Sequence, residues 1–284
     1  MLTRFAPAPT GFLHLGHVVN AIYVWGFARA RGGRVLLRIE DHDRQRSRTE
    51  YEQAILEDLN WLGFVADEPL VRQSERGGLY ESALDRLRAL GLVYACECSR
   101  SAIAAASQPG QERRYPGTCR DRNLPERPGL GLRVRLAPSV EHFDDLRHGP
   151  QGQRPLEESG DILARDRDGH WTYQFAVTVD DDAQRITHVI RGDDLLSSTG
   201  RQIQLARLLG RDTPPEFLHH ALVMKSRTQK LSKADRDTSV RDLRREGWTA
   251  PAIIGRAAAS VRLLEVERPL RADQVAAFFA AKPA

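Results

Sequence analysis

Over its first hundred residues the chain switches its hydrophobic period repeatedly between 3.6 and extended runs, and no other feature constrains the fold as tightly. Arg4 to Ala6 reads as a short strand. From Leu15 to Arg31 the apolar residues Val18, Val19, Ile22, Trp25 and Phe27 recur at helical spacing until Gly32-Gly33 ends the run. Val35 to Ile39 is predicted as a buried strand. Helices are expected at about Thr49–Leu62 and Gly78–Leu90, closed by Gly63 and Gly91, where a left-handed cap costs a glycine little. Strand, helix, strand, helix predicts an α/β fold with a doubly wound parallel sheet. Between about Cys96 and His170 the pattern degrades into Pro, Gly and Arg with strand-like pieces such as Leu132–Leu136, and reads as an insertion. Alternation resumes with Tyr173–Val179 and Ile186–Arg191 as strands, a helix near Leu195–Leu209, and a strand at Phe217–Met224. The last fifty residues look helical, with Ala252–Leu264 and Arg271–Ala281 as candidates and Pro251 suited to a first turn.

Composition removes whole classes of function. With 284 residues and 41% hydrophobic content the chain is not a disordered one, and the lack of a long uncharged apolar run argues against a membrane protein. MLTRFAPAPTGF has no continuous apolar stretch after its charge, so no signal peptide is expected and the cytoplasm is the expected compartment. A net charge of +4 permits a polyanionic partner without requiring one. Lysine occurs only at 225, 230, 233 and 282, against 38 arginines, so three of four fall within nine residues. That cluster is either chance on a background of Arg-rich codons or a need for compact ammonium groups. All three cysteines, Cys96, Cys98 and Cys119, lie within 24 residues, and their odd number argues against a disulfide framework.

Pro9-Thr10-Gly11-Phe12-Leu13-His14-Leu15-Gly16-His17 joins the first strand to the first helix, where a doubly wound sheet opens its ligand crevice. His-x-Gly-His there offers two imidazoles and free backbone N–H groups to an anion, and Gly16 admits close approach. Alone, such a short motif is more often a pair of packed helix-start histidines. Far downstream, however, Lys230-Leu231-Ser232-Lys233 supplies a second candidate phosphate clamp. HxGH followed by KxSK on an alternating α/β chain resembles the class I aminoacyl-tRNA synthetases. At a finer level RFAPAPTGFLHLGH, LLRIEDHDRQRS, VTVDDDAQRITHVIRGDDLL and KLSK resemble the catalytic core of the glutamyl-tRNA synthetases. With 51 residues after Lys233, and with CECSRSAI, YPGTCR and SSTGRQIQLARLLG, the chain looks like the glutamyl-Q tRNA(Asp) synthetases, stand-alone cores of that family.

The resemblance implies a Rossmann-like core in two halves, 1–94 and 171–238, a zinc-binding insertion at 95–170 and a helical remnant at 239–284. It implies activation of L-glutamate by ATP, with Mg²⁺ accompanying the nucleotide, and transfer to the queuosine base in the anticodon of tRNA(Asp), by a monomer with no membrane partner. His14, His17, Lys230 and Lys233 would be catalytic, and Pro9, Thr10, Gly16 and Ser232 would join them at ATP. Glutamate carries two carboxylates and one ammonium, so its site needs guanidinium partners and an acid. Arg4 and Arg191, at the ends of strands read as neighbours, suit the carboxylates, and Glu40 suits the ammonium. Ala6, Ala8 and Tyr173 complete the implied glutamate set; the family usually has a hydroxyl where Ala8 stands, and KLSKA lacks the last polar residue of some relatives. Glu40-Asp41-His42-Asp43 is alternatively a divalent-metal carboxylate cluster. Three thiols suit one structural Zn²⁺, with Tyr115 as the fourth ligand by resemblance; three metal-free thiols are the other reading. Arg113, Arg114, Arg120 and Arg122 form either a phosphate cradle for an anticodon loop or an ordinary solvated loop. The alternatives to the glutamyl-Q reading are a truncated or discriminating glutamyl-tRNA synthetase charging a tRNA 3′ end, a silent RNA-binding paralogue, and a nucleotidyltransferase for a small metabolite.

Overall fold

The computed structural model describes residues 1–43, 45–105, 114–223 and 238–280. In chain order the regular elements are β1 (Leu2–Phe5), α1 (Leu15–Ala30), β2 (Arg34–Ile39), α2 (Thr49–Leu62), β3 (Val71–Arg72), α3 (Gly77–Ala89), β4 (Val93–Cys96), α4 (Arg100–Ala105), β5 (Gly131–Val134), β6 (Glu141–Asp145), β7 (Gly149–Gln153), α5 (Pro155–Glu158), β8 (Ile162–Arg165), α6 (Tyr173–Ala183), β9 (His188–Gly192), α7 (Thr199–Leu208), β10 (Glu216–His220), α8 (Val240–Arg245) and α9 (Ala250–Ser260). Packing divides the chain into two units. The first comprises Met1–Gln73, Ile186–Leu195 and the described residues from Phe217 onward, and the second comprises Ser74–Arg185 and Leu196–Glu216.

In the first unit β1, β2 and β3 form a parallel sheet with β2 central, in the register Arg4 opposite Leu36 and Ile39 opposite Arg72. Five consecutive residues of β2, Val35 to Ile39, are buried, as expected of a strand covered on both faces. Helix α1 is buried almost all round, from Val18 to Ala28, because it packs against β1, β2 and β9 on one side and against α9 and the 3₁₀ turn Ala272–Phe278 on the other. The C-terminal elements are therefore part of this core: Ile253, Ile254, Ala257, Ala258 and Val275 are all buried, each large side chain contributing about 1.5–3 kcal/mol. The helix expected at Arg271–Ala281 is instead this 3₁₀ turn, and α8 falls in the tail expected to be helical without being one of its two named candidates. Helix α2 ends where Gly63 takes the left-handed conformation at φ 88°.

The second unit is antiparallel. β4, β5 and β8 pair in that order, with Val93 opposite Val134 and Cys96 opposite Gly131, and β6 and β7 form a hairpin. The segment read as a loop-rich insertion thus has more apolar support than its composition suggests: Leu132, Val134, Leu136, Ile162 and Ala164 share a core with Tyr80, Leu84 and Leu87 of α3 and with α6. Tyr173–Val179 is not a strand but the first part of α6. Its β-branched and aromatic run is buried on a helix because Phe175, Ala176 and Val179 fall on one face, and a short apolar run does not by itself distinguish the two structures. The expected helix at Leu195–Leu209 begins as a 3₁₀ turn over Asp193–Ser198 before α7, and β10 stops at His220, short of the predicted Met224. Among the described residues no helix is long and apolar enough to cross a membrane.

Asp58, on α2, is 3% exposed, and its Oδ2 is buried without a hydrogen-bond partner. Burial pushes its carboxyl from the ordinary 3.8 up to about 6, against the pull of Arg241 and Arg244 on α8. The folded chain binds this proton more tightly than the unfolded one, so Asp58 destabilises the fold as it ionises; the cost is absent below pH 4 and complete above about pH 6. Denaturant unfolding of Asp58→Asn against the parent is expected to show a stability difference moving in the variant's favour by up to about 3 kcal/mol between pH 4 and pH 7. A pH-independent difference would contradict this.

Candidate functional site

His14 is the N-cap of α1, in extended conformation at φ −127° and ψ 177°. Its Nδ1 accepts the Gly16 N–H at 3.1 Å, and the Nδ1 of His17 accepts the His14 N–H at 3.1 Å. Each Nδ1 being an acceptor, the neutral rings carry their protons on Nε2. The two rings lie 4.0 Å apart between centroids. The first turn of α1 contains no acidic residue, so the positive end of the helix dipole is presented to an incoming anion. A Cβ on Gly16 would stand 2.9 Å from His14 Cε1, so only glycine leaves this capping ring undisturbed.

The loop carrying Ala6, Ala8, Pro9 and Thr10 is tied down by backbone bonds from several segments. Glu40 N–H donates to Pro7 O at 3.0 Å, Arg48 N–H to Pro9 O at 3.0 Å, Thr10 N–H to Ala8 O at 2.9 Å and Val240 N–H to Leu13 O at 2.7 Å. His14 also forms an isolated antiparallel bridge with Ser239. Ser239 caps α8 reciprocally with Asp242: its Oγ accepts the Asp242 N–H at 3.2 Å and donates to Oδ2 at 2.6 Å. At the end of β10, His220 Nε2 lies 3.1 Å from Asn20 Oδ1 of α1, and its ring stacks on Tyr23 at 4.8 Å. Lys230, Ser232 and Lys233 lie outside the described residues.

Three of the charged side chains expected at an amino acid are buried in this same unit. Arg4 on β1 is 3% exposed and donates to Ile190 O of β9 at 3.3 Å; β1 and β9 are adjacent, joined by Thr187 N–H to Leu2 O at 2.9 Å. Arg191 on β9 is 4% exposed, and its Nε donates to His219 Nε2 at 3.0 Å. Since the guanidinium donates, His219 must accept there and hold any neutral-ring proton on Nδ1. Glu40 follows β2 and accepts from Arg38 Nη2 at 3.1 Å. Burial raises the Glu40 carboxyl above its ordinary range, while Arg38, His42 and Arg4 oppose the rise. Sequence reading missed Arg38 and His219; the signal available for the latter was the His219-His220 pair inside the strand predicted at Phe217–Met224. Tyr173 opens α6 in the second unit. The alternative of a metal cluster at Glu40–Asp43 finds no support, because Asp43 is engaged by Arg46 at 2.6 Å, His42 by Gln73 at 2.5 Å and Glu40 by Arg38. Among the described residues, the three-donor groups are found elsewhere.

One of those groups is the thiol cluster of the second unit. The Sγ atoms of Cys96, Cys98 and Cys119 lie within 4.8 Å of one another, with Cys98 and Cys119 at 3.6 Å. Cys96 Sγ donates to the Tyr115 hydroxyl at 3.6 Å, and that oxygen also accepts the Cys119 N–H at 2.9 Å. A tetrahedral zinc with bonds of about 2.3 Å to sulfur needs sulfurs about 3.8 Å apart. The three thiols are compatible with that geometry. Burial, followed by the neighbouring thiols, pushes Cys98 up to about 12; at Cys96 burial acts upward too but is outweighed by Arg133, which lowers it. The arginines read as a cradle divide. Arg120 is not a free cation: it donates to Asp161 at 2.8 Å and to Leu136 O at 2.8 Å, because the buried Asp161 carboxylate requires a partner. Arg122 is exposed and paired with Glu97, Arg114 is exposed, and Arg113 lies outside the described residues. The second three-donor group, Asp166, Asp168 and His170, is a turn in which Asp166 accepts the backbone N–H groups of the other two.

Residues 1–257 match the family of class I tRNA synthetases (E and Q), catalytic domain. A curated protein of Rhodobacter capsulatus, glutamyl-Q tRNA(Asp) synthetase, is 42% identical over 277 residues, covering 90% of this chain and 99% of its own length. The protein of the same name from Burkholderia mallei is 48% identical over 237 residues, covering 81% of this chain and 79% of its own. Among solved structures, glutamate-tRNA synthetase from Elizabethkingia anophelis superposes with a TM-score of 0.79 at 27% identity. That match covers 97% of this chain and 65% of the neighbour, so the chain spans just under two thirds of it. A glutamate tRNA ligase from Elizabethkingia meningosepticum, solved in complex with its amino acid, gives 0.78 at 28% identity, with 97% and 64% covered.

Long-range ¹H–¹⁵N NMR is expected to show the neutral rings of His14 and His17 as Nε2–H tautomers. In Gly16→Ala the His14 signals are expected to shift while the unfolding midpoint moves by less than about 1 kcal/mol equivalent, since the flexible ring can rotate away from the new methyl. An Nδ1–H signal for either ring would contradict the capping geometry.

Proposed function

The chain belongs to the class I tRNA synthetases of the E and Q type, and from that footing we propose that it is a cytoplasmic, monomeric enzyme activating L-glutamate with ATP and transferring it to the queuosine base in the anticodon of tRNA(Asp). The glutamate half of the reading is supported chiefly by the burial, in one unit, of Arg4, Arg191 and Glu40 near the carboxyl ends of adjacent strands. Two fixed guanidinium groups suit two carboxylates, and the ammonium of the substrate supplies the counter-charge that the desolvated Glu40 calls for. The acceptor half rests on the names of relatives 42–48% identical, one of them matched over 99% of its length.

The chemistry asks mainly for positioning and charge. An oxygen of the glutamate α-carboxylate attacks the α-phosphorus of ATP, and pyrophosphate leaves with the bonding pair. A hydroxyl of the queuosine diol then attacks the acyl carbon, the acyl–phosphate C–O bond breaks, and the hydroxyl proton passes to a phosphate oxygen of the departing AMP or from there to water. His14 and His17 donate Nε2–H to phosphate oxygens at the positive end of α1, while Pro9, Thr10 and Gly16 let the nucleotide lie against the loop. Bound with ATP, Mg²⁺ neutralises part of the triphosphate charge. Lys230, Ser232 and Lys233 are assigned to the β- and γ-phosphates. Ala6 and Ala8 contribute backbone rather than side-chain contacts to glutamate.

A second reading is favoured by the structural similarity to glutamate-tRNA synthetases, namely that the acceptor is the 3′ end of a tRNA. The two share their first step and differ in product. Glutamate-dependent ATP–pyrophosphate exchange is expected without any tRNA, and Lys233→Ala is expected to reduce it by on the order of 10²-fold, as when one preorganised charge is lost. With labelled glutamate, label is expected on tRNA(Asp) carrying queuosine and on neither unmodified tRNA(Asp) nor tRNA(Glu). Label on tRNA(Glu) would replace the first reading by the second; absent exchange would remove both.

One structural zinc per chain is proposed at Cys96, Cys98, Cys119 and Tyr115, where it would cross-link β4 to the segment 115–119. Elemental analysis of protein purified without chelator is expected to give a stoichiometry near one, falling below about 0.3 in Cys98→Ser as a closed four-ligand site loses a donor. Metal content unchanged by that substitution would refute the assignment.

A further inference from the structure

Arg133 lies at a place where a guanidinium is expensive. It sits on β5, opposite Tyr94, and is only 5% exposed. Each of its groups is directed at the thiol cluster or its support. Nε donates to Cys96 Sγ at 3.2 Å, the guanidinium carbon stands 3.6 Å from the centroid of the Tyr115 ring, and Nη1 donates to Asp161 O at 2.8 Å. A cation over a tyrosine ring stabilises negative charge developing on its oxygen, and an N–H on a sulfur stabilises its thiolate.

Resting on the zinc assignment above, we propose that Arg133 is a positioning residue of the metal centre: it holds Cys96 and Tyr115 as a preformed pair of donors and offsets the charge they acquire on binding. Zn²⁺ with three thiolates and a neutral phenol carries one net negative charge, and with a phenolate two. Buried charge of that size requires a cation close at hand. Arg122 also interacts with Cys119, but it is exposed and shared with Glu97, so water screens it. The two arginines therefore form an internal comparison, one desolvated and one not.

The test uses the full chain and zinc alone, with affinity read by competition against a chromophoric chelator and with Co²⁺ substituted to report the thiolate charge-transfer band. Arg133→Met is expected to weaken zinc binding by about 10- to 100-fold, the range found when an outer partner of a metal ligand is removed, and to shift the Co²⁺ band. Arg133→Lys keeps the charge but loses the Nε–H and the planar stack, and is expected to weaken binding by about 3- to 10-fold, while Arg122→Ala is expected to stay within about 3-fold. Parent protein that takes up no zinc would sink the metal assignment. Parent protein that binds one zinc, with Arg133→Met binding equally tightly, would sink the positioning role alone. Should Arg133→Met fail to fold, Arg133→Lys decides: parental affinity and an unshifted Co²⁺ band overturn the proposal, and weakened binding with a shifted band supports it.

Discussion

The arrangement of the first unit depends on backbone hydrogen bonds made to a loop that has no regular structure of its own. Between β1 and α1, Pro7, Pro9 and Leu13 each offer a carbonyl, and the N–H groups that reach them come from Glu40 after β2, Arg48 before α2 and Val240 at the start of α8. Two of the three acceptors flank or belong to prolines, which have no N–H to donate and hold their own φ near −65°. The loop is thus specified by rigid residues inside and by borrowed donors outside. His14 completes it by capping α1 and bridging to Ser239. Three stretches far apart in sequence are consequently fixed at one helix N-terminus, the end of α1 suited to an anion.

That geometry explains why charge can be buried beside it. A lone guanidinium or carboxylate in an apolar sheet is strongly destabilising, and unpaired desolvation would simply drive Glu40 to its neutral form. Arg38, Arg4 and Glu40 share one neighbourhood, and Arg191 donates from Nε to the His219 imidazole at 3.0 Å. A ring nitrogen that accepts in this way fixes the plane of the guanidinium, so the direction of its remaining N–H groups is set by the fold.

The parts of this molecule legible in sequence are those whose cause is local. α1, β2 and α2 follow from periodicity and glycine stops, and the thiol cluster follows from spacing within 24 residues. The misreadings share the opposite property. Tyr173–Val179 has strand-like residues, yet its helix is decided by the core it meets, and Asp180 in that helix is buried against Arg76 and Tyr80 about a hundred residues earlier. Arg120 reads in sequence as part of a phosphate cradle or as a solvated arginine, yet it pairs with the buried Asp161, 41 residues on, and His219 and Arg133 meet their partners over 28 and 37 residues. Ion pairing at such separations leaves no periodic trace.

Asp161 shows how the second unit sets the positions of its thiols, which pack with Tyr94 and Tyr115 in a cluster beside the larger apolar core. One oxygen accepts the Tyr94 hydroxyl at 2.7 Å, the other accepts Arg120 Nη1 and the Leu136 N–H at 2.8 Å each, and its carbonyl accepts Arg133. Tyr94 and Arg133 lie opposite each other on β4 and β5, so one buried carboxylate residue aligns both strands two positions from Cys96. Opposite Cys96 itself is Gly131, where a Cβ would stand 3.0 Å from Leu163 Cδ1 and 3.2 Å from Arg165 O of the next strand; the sheet closes tightly there because no side chain intervenes. The apolar core of α3, α6, β5 and β8 then carries the stability of the unit, while the polar web sets the positions of the donors. At the proposed zinc site a cation would meet side chains whose conformational entropy has largely been spent in folding, and donors fixed in this way bind more tightly than the same residues on a mobile loop.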